Sequence, residues 1–253
     1  MTTSRFKSGA MALSGLLAVS ALLTFHLSKA QAVARSCPVV LQDAKRLVLV
    51  TAGTIDSKHG ILQTFERDTP QSPWQAASGP QPAMLGDQGI AWAQGYQSYA
   101  QPGEPIQVEG DNRSPAGVFP LGQTFGFDHA GTPLHISLEN NRHICVDDLA
   151  SPLYNRIVSR EVAGPGTHAE EMRSIATYRR GIVIDLPTNR ESRTGSCIFL
   201  HVWNNEGTGT AGCIGLPENS VEELQDWGGG GQAVIAILPG LARERLGPCL
   251  PPV

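Results

Sequence analysis

Charge is scarce in this 253-residue chain: 17% of residues are Asp, Glu, Lys or Arg, and the formal net charge is −4. A chain without a basic excess has no electrostatic footprint for nucleic acid. Aromatic residues are also few, at 6%. Five cysteines are too few for a small disulfide-built scaffold. They suffice for two bridges and one spare thiol. No HExxH motif and no paired short Cys/His spacing is present, which disfavours zinc; the only set to consider is Cys197, His201 and Cys213. No acidic residue occurs before Arg35. What the chain does have is Gly, 28 residues, Pro, 18 residues, and 41% apolar residues. That composition supports a packed core rich in turns and argues against a disordered chain or a helical bundle.

The first 34 residues read as a secretory signal peptide. Arg5 and Lys7 form a positive start, Ala10–Leu27 is mostly apolar, and Ala30-Gln-Ala32 and Ala32-Val-Ala34 are small-x-small cleavage patterns. The competing reading is an uncleaved anchor, diluted by Ser14, Gly15, Ser20, Thr24 and His26. Arg35 and Ser36 do not prepare Cys37 for lipidation. Cleavage would remove Arg5, Lys7 and Lys29 and make the mature chain more acidic. Such a protein is expected outside the cytoplasmic membrane, in the periplasm or cell envelope, with no stable membrane insertion and no affinity for nucleic acid. The compartment also permits disulfides.

Residues 35–253 read as one mainly-β domain with short helices, its core over about 46–240. Strands are expected at 46–51, 61–67, 133–138, 181–185, 197–203 and 233–238, where apolar residues alternate or run between turn residues. Residues 68–90, with Pro70, Pro73, Pro80 and Pro82, read as irregular surface. Helices are expected at about 169–176 and 220–227. The second is given an Asn219 cap, a capping box with Glu222, and an end at the 228–231 glycine run.

Chemistry concentrates in Cys197-Ile-Phe-Leu-His201-Val-Trp-Asn-Asn-Glu-Gly-Thr-Gly-Thr210-Ala-Gly-Cys213-Ile-Gly-Leu-Pro217. A strand delivers His201, and a loop of small residues returns Cys213 beside it. Small residues before a thiol leave room for a substrate and let backbone N–H groups converge on an oxyanion. A nearby imidazole can take the thiol proton. An isolated Cys is more often structural than reactive, and a strand His is more often a satisfied polar group, so spacing alone does not decide. His135 and His143 are the other candidate bases and lie in no motif.

Two blocks resemble the YkuD-like L,D-transpeptidase family of bacterial cell-wall enzymes. The first is Gly110-Asp-Asn-Arg-Ser-Pro-Ala-Gly-Val-Phe-Pro-Leu121 followed by Phe125-Gly-Phe127. The second is His201 followed by Thr210-Ala-Gly-Cys213-Ile214. Cys145-Val-Asp-Asp148, Tyr154-Asn-Arg156 and Ser196-Cys-Ile-Phe-Leu-His201 resemble a secreted branch of that family. The likeness spans roughly residues 46–240. It implies a β-sandwich-like catalytic domain and acyl transfer on peptidoglycan stem peptides. Cys213 would be the nucleophile and His201 the base, with backbone N–H groups of Cys213 and of Gly212 or Ala211 as the oxyanion hole. No cofactor or metal is implied. Trp203, Tyr154 and Asp148 are candidate substrate contacts. The chain departs from the family at Ala211, where many members have His, and at Gly215, where many have Arg or Asn. The departures leave the acyl acceptor open. The alternatives are an L,D-carboxypeptidase or wall-protein hydrolase using the same site, and a non-catalytic wall-binding domain, which would need neither thiol nor base.

In the first block Pro115 is expected to fix the chain and Gly117 to serve a turn with positive φ. The four remaining cysteines allow three pairings. Cys37–Cys249 with Cys145–Cys197 is expected, because the first pair would clasp the ends and the second would brace the strand carrying His201.

Overall fold

Runs of apolar and β-branched residues bounded by turn residues dominate the chain, and strands form there. The structure, a computed structural model, describes residues 1–2, 37–128, 134–228 and 233–251. The expected leader over 1–34 and the glycine run at 229–231 therefore lie outside the described residues, Met1 and Thr2 apart. A short helix α1 (Val39–Gln42) precedes β1 (Arg46–Ala52), β2 (His59–Glu66), β3 (Gln75–Ala76), β4 (Gln81–Met84) and β5 (Ile90–Trp92). Next come the long β6 (Ser114–Gly126), β7 (His135–Ser137), β8 (His143–Val146), β9 (Ile157–Ser159), helix α2 (Arg160–Ala163) and β10 (Ala169–Glu171). The chain then runs through β11 (Arg180–Ile184), β12 (Phe199–Val202), β13 (Ile214–Leu216), helix α3 (Glu218–Gly228) and β14 (Val234–Pro239). Arg35–Val253 forms one compact unit.

The mainly-β architecture with short helices is what the structure shows, and its strands close into a ring. The hydrogen-bonded order is β1-β14-β6-β11-β12-β13-β4-β2, and β2 pairs back onto β1. Closure removes the free edges that an open sheet would present. β1 pairs with β14, and β12 with β13, in parallel; the other ring contacts are antiparallel. β14 is buried along its whole length and β1 nearly so, which is why both read as continuous apolar runs rather than alternating ones. The ring is thinnest at β13–β4, joined by the single pair Gly215–Met84. A separate three-stranded sheet, β10-β8-β9, stands beside it.

Two apolar clusters result. The larger runs through the ring and includes Trp92, Phe119 and Leu200. The smaller gathers Phe125, Tyr178, Phe199, Met172 and Cys213 with the Cys145 and Cys197 pair. The disulfides are Cys37–Cys249 and Cys145–Cys197, and Cys213 is free and buried.

Several local expectations are corrected. The helix expected at about 169–176 is not there: β10 pairs antiparallel with β8 and is followed by two 3-10 turns. The helix expected at 220–227 is α3, but it starts at Glu218, so Asn219 lies inside its first turn and the capping box does not form. Residues 68–90 are not wholly irregular, since β3, β4 and the start of β5 fall there. Gly117 lies within β6 rather than in a turn, but its φ is positive as expected, at 155°. A Cβ on it would come 2.6 Å from Phe119 Cζ and 2.6 Å from Tyr96 Cδ2. Glycine is required by that close approach.

Candidate active site

Cys213 sits at the end of the small-residue loop, just before β13, and the loop is pinned along its length. Thr210 N–H donates to the Leu85 carbonyl at 2.9 Å, and the Asp87 N–H donates to the Thr210 carbonyl at 2.8 Å. Gly209 lets this happen, because a Cβ there would lie 2.6 Å from Asp87 Cα. Two hydroxyls then hold the Cys213 carbonyl: Thr210 Oγ1 donates at 2.6 Å and Ser114 Oγ at 3.3 Å. Ser114 is fully buried and also accepts the Gly86 N–H at 2.9 Å. The Gly110–Phe119 block is therefore bound to the cysteine loop through Ser114. Its first residues, Gly110 and Asn112, line the same cavity as Cys213.

The cavity, about 450 Å³, is lined by both Cys213 and His201. Cys213 is 6% exposed and His201 7%. The sulfur faces backbone: Phe199 N–H donates to Sγ at 3.3 Å, and Sγ lies 3.5 Å from the Cys197 carbonyl. Burial pushes the thiol up to about 12, with the Glu170 carboxyl adding in the same direction. His201 is held by its Nδ1, 2.8 Å from the Val202 carbonyl. A carbonyl only accepts, so Nδ1 carries the proton and Nε2 keeps its lone pair. Burial lowers His201 to about 4, so the imidazole is neutral at ordinary pH. Among the described residues no hydrogen bond joins Cys213 to His201; they meet through the shared cavity.

The other expected residues divide. Trp203 lines the cavity. Tyr154 does not: its hydroxyl donates to Glu109, which does, and which also accepts from Ser196 Oγ at 2.8 Å. Asp148 is likewise outside the lining, where its Oδ1 accepts the Ala150 N–H at 2.9 Å, while its neighbour Asp147 lines the cavity. Ala211 also lines it. The Gly212 N–H is engaged by Thr210 Oγ1 at 3.1 Å, whereas the N–H groups of Ala211 and Cys213 have no acceptor among the described residues. Of the N–H groups expected to serve an oxyanion, that of Gly212 is thus already engaged and those of Ala211 and Cys213 are not, among the described residues. His135 is held by Thr124 and the Asp128 carbonyl, His143 by the Glu139 N–H, and neither lines the cavity. Cys197 is bonded to Cys145, which removes its sulfur from any metal set with His201 and Cys213.

Sequence reasoning missed Glu170 and Tyr178. Both line the cavity, and the Tyr178 hydroxyl donates to Glu170 Oε2 at 2.8 Å. Neither lies in a motif; Glu170 falls in the stretch expected to be a helix, and Tyr178 lies just beyond it. A second cavity, about 620 Å³, is lined by Asp185, Asn155 and Arg156 among others and contains neither Cys213 nor His201.

No protein-family model matches the chain, and no curated protein matches it. Among solved structures it is similar to Bdellovibrio bacteriovorus Bd1075, with 16% identity and a TM-score of 0.38 over 81% of this chain and 53% of that one. It is also similar to the helical cell shape determining protein Pgp2 from Campylobacter jejuni, with 15% identity and a TM-score of 0.40 over 78% of this chain and 48% of that one. The chain spans about half the length of these structures.

Proposed function

We propose that the protein is an exported cysteine acyltransferase that acts on peptidoglycan stem peptides and forms L,D cross-links through a Cys213 thioester. The observation that carries this reading is one cavity holding the free thiol together with an imidazole whose Nε2 lone pair is available. The substrate class comes from the resemblance of the Gly110–Leu121 and His201–Ile214 blocks to the L,D-transpeptidase family. The two disulfides fit an oxidising compartment. Among the described residues no helix is long and apolar enough to cross a membrane.

In this scheme His201 Nε2 takes the Cys213 thiol proton as Sγ attacks the carbonyl of the L-centre in an L,D peptide bond, and it is this proton that it later passes on. The carbonyl oxygen takes the negative charge and is met by the Cys213 and Ala211 N–H groups. His201 Nε2 delivers a proton to the departing amine of the terminal D-residue, and the C–N bond breaks. An amine of a neighbouring stem then attacks the thioester, loses its proton to His201 Nε2, and releases the sulfur.

A second reading, hydrolysis of the thioester by water, is favoured by Gly215. This buried β13 residue has no side chain to grip an acceptor, and a Cβ there would lie 3.1 Å from Trp203 Cβ. Mass spectrometry of purified muropeptides after incubation with the protein separates the two. Cross-linked dimers are the expected product, trimmed monomers indicate hydrolysis, and unchanged material contradicts both.

A further inference from the structure

The second cavity, about 620 Å³, takes no part in the scheme above, yet it has the size of a small-ligand pocket. Its walls come from β6 and β11 of the ring and from β8 and β9 of the smaller sheet, and Val118, Phe119, Ile157 and Leu186 make them largely apolar. Two charged side chains of opposite sign line it, Arg156 and Asp185, and both are exposed. Their backbones are fixed. The Arg156 N–H donates to the Leu153 carbonyl at 3.1 Å, and its carbonyl accepts the Val146 N–H at 3.0 Å. The Asp185 N–H donates to the Pro120 carbonyl at 3.0 Å. The two residues also flank a hydrogen-bonded pair, since Asn155 Nδ2 donates to the Leu186 carbonyl at 3.3 Å.

Their heads are free. Among the described residues neither the guanidinium nor the carboxylate has a hydrogen bond or an ion pair, and they do not pair with each other. Room for the carboxylate is kept by Gly122 of β6, where a Cβ would lie 2.6 Å from Asp185 Oδ1. Burial pushes the Asp185 carboxyl up, with no cation set against it. Two fixed, unpaired and opposite charges in one apolar-walled cavity complement a ligand that carries both signs. A simple anion or cation would satisfy one of them and be repelled by the other.

We propose that this cavity binds a short peptide with a free ammonium and a free carboxylate, the carboxylate on Arg156, the ammonium on Asp185 and an apolar side chain against the walls. A guanidinium fork matches a carboxylate with two parallel hydrogen bonds. A single free amino acid would leave most of the volume to water, so a peptide of two or three residues is the better fit. The site is separate from the catalytic cavity but backs onto it. Phe199 lines the second cavity, while its N–H meets Cys213 Sγ on the other side at 3.3 Å. The assignment does not rest on the acyltransferase reading, since neither Cys213 nor His201 lines this cavity.

The test is isothermal titration calorimetry of the protein with the tripeptide Ala-Leu-Ala, its N-acetyl form, which lacks the ammonium, and its C-terminal amide, which lacks the carboxylate. The free tripeptide is expected to bind, and each blocked form to bind about tenfold more weakly or worse, the cost of a lost charge-assisted hydrogen bond. R156Q is expected to weaken the free tripeptide by about the same factor and to make the amide no worse than the free form. D185N is expected to do the same for the N-acetyl form. R156K, which keeps the charge without the fork, should recover part of the affinity. Both residues are exposed and make no side-chain contact to lose, so the variants should melt with wild type, and thermal melts check this. Protein carbamidomethylated at Cys213 is expected to bind the tripeptide within about threefold of the unmodified protein. No binding at millimolar tripeptide overturns the proposal, as do blocked forms that bind equally well or R156Q and D185N variants that bind like wild type. Binding abolished by the Cys213 label overturns it too, because the peptide then sits in the catalytic cavity. None of these results bears on the acyl-enzyme reading, which the muropeptide products decide.

Discussion

The free thiol of Cys213 lies 3.5 Å from the carbonyl of Cys197, a residue of the Cys145–Cys197 disulfide. Cys197 adopts a left-handed conformation, φ 53°, and its N–H is held by Asn155 Oδ1 at 2.9 Å. Asn155 is itself left-handed, φ 61°. A non-glycine residue in that region persists where surrounding contacts over-determine it. The bridged residue therefore contacts the Cys213 sulfur beside Phe199, whose N–H at the start of the strand carrying His201 donates to it at 3.3 Å.

Replacing both Cys145 and Cys197 by Ser should lower stability and activity together. The bridge spans 52 residues, for which the chain-entropy model gives about 4 kcal/mol, an upper figure. Chemical denaturation measures the first effect. The rate of Cys213 alkylation measures the second, and it should change more than in the Cys37/Cys249 double variant, whose bridge lies away from the cavity lining.

Ser114→Ala removes the hydroxyl that binds the Cys213 carbonyl and leaves the Gly86 N–H without its acceptor. A buried unsatisfied group costs about 1–3 kcal/mol. Denaturant midpoints should fall accordingly, and turnover per folded molecule should fall with them because the cysteine loop is loosened. Ser114→Thr, which keeps the hydroxyl, should recover part of the activity.

Gly117→Val should be a stability variant. The added Cβ collides with Phe119 and Tyr96 inside β6, a cost of about 1–3 kcal/mol for forced overpacking. The melting temperature should drop while chemistry per folded molecule stays near wild type. Activity lost at unchanged stability would place Gly117 in the site.

Glu170 and His201 should impose opposite pH dependences on stability. Glu170 is raised to about 7 from 4.5, so its contribution is present below 4.5 and is lost as pH rises through 7. His201 is lowered to about 4 from 6.5, so its contribution is present above 6.5 and is lost as pH falls through 4. E170Q removes the first effect. It should be more stable than wild type at pH 8 by about 3 kcal/mol and little changed at pH 4, as thermal melts at the two pH values would show.

The parts of the fold legible in the sequence were those whose burial leaves a local signature. β1 and β14 are continuous apolar runs because both faces are covered, and β12 was readable between Cys197 and Trp203. β4 was hidden by Pro82, tolerated there opposite the exposed Ile61 in a strand that meets β13 at one residue only. The stretch 169–176 is rich in good helix formers, but pairing with disulfide-anchored β8 overrides that preference. Cys213 and His201 were readable because a strand and a small-residue loop mark them. Tyr178 and Glu170 were not, since only the packing of β10 and the following turns against Phe199 and His201 brings them to the thiol.

The claim that Cys213 carries the acyl group is tested most directly by trapping it. The protein should be incubated with a purified disaccharide-tetrapeptide, quenched in acid within the first turnovers, and mapped by peptide mass spectrometry. An adduct with the mass of the stem peptide less its terminal D-residue is expected on the peptide containing Cys213. That adduct should be hydroxylamine-labile, as a thioester is, and absent in Cys213→Ser. Product formation with the acyl group on another residue, or undiminished in Cys213→Ser, would contradict it.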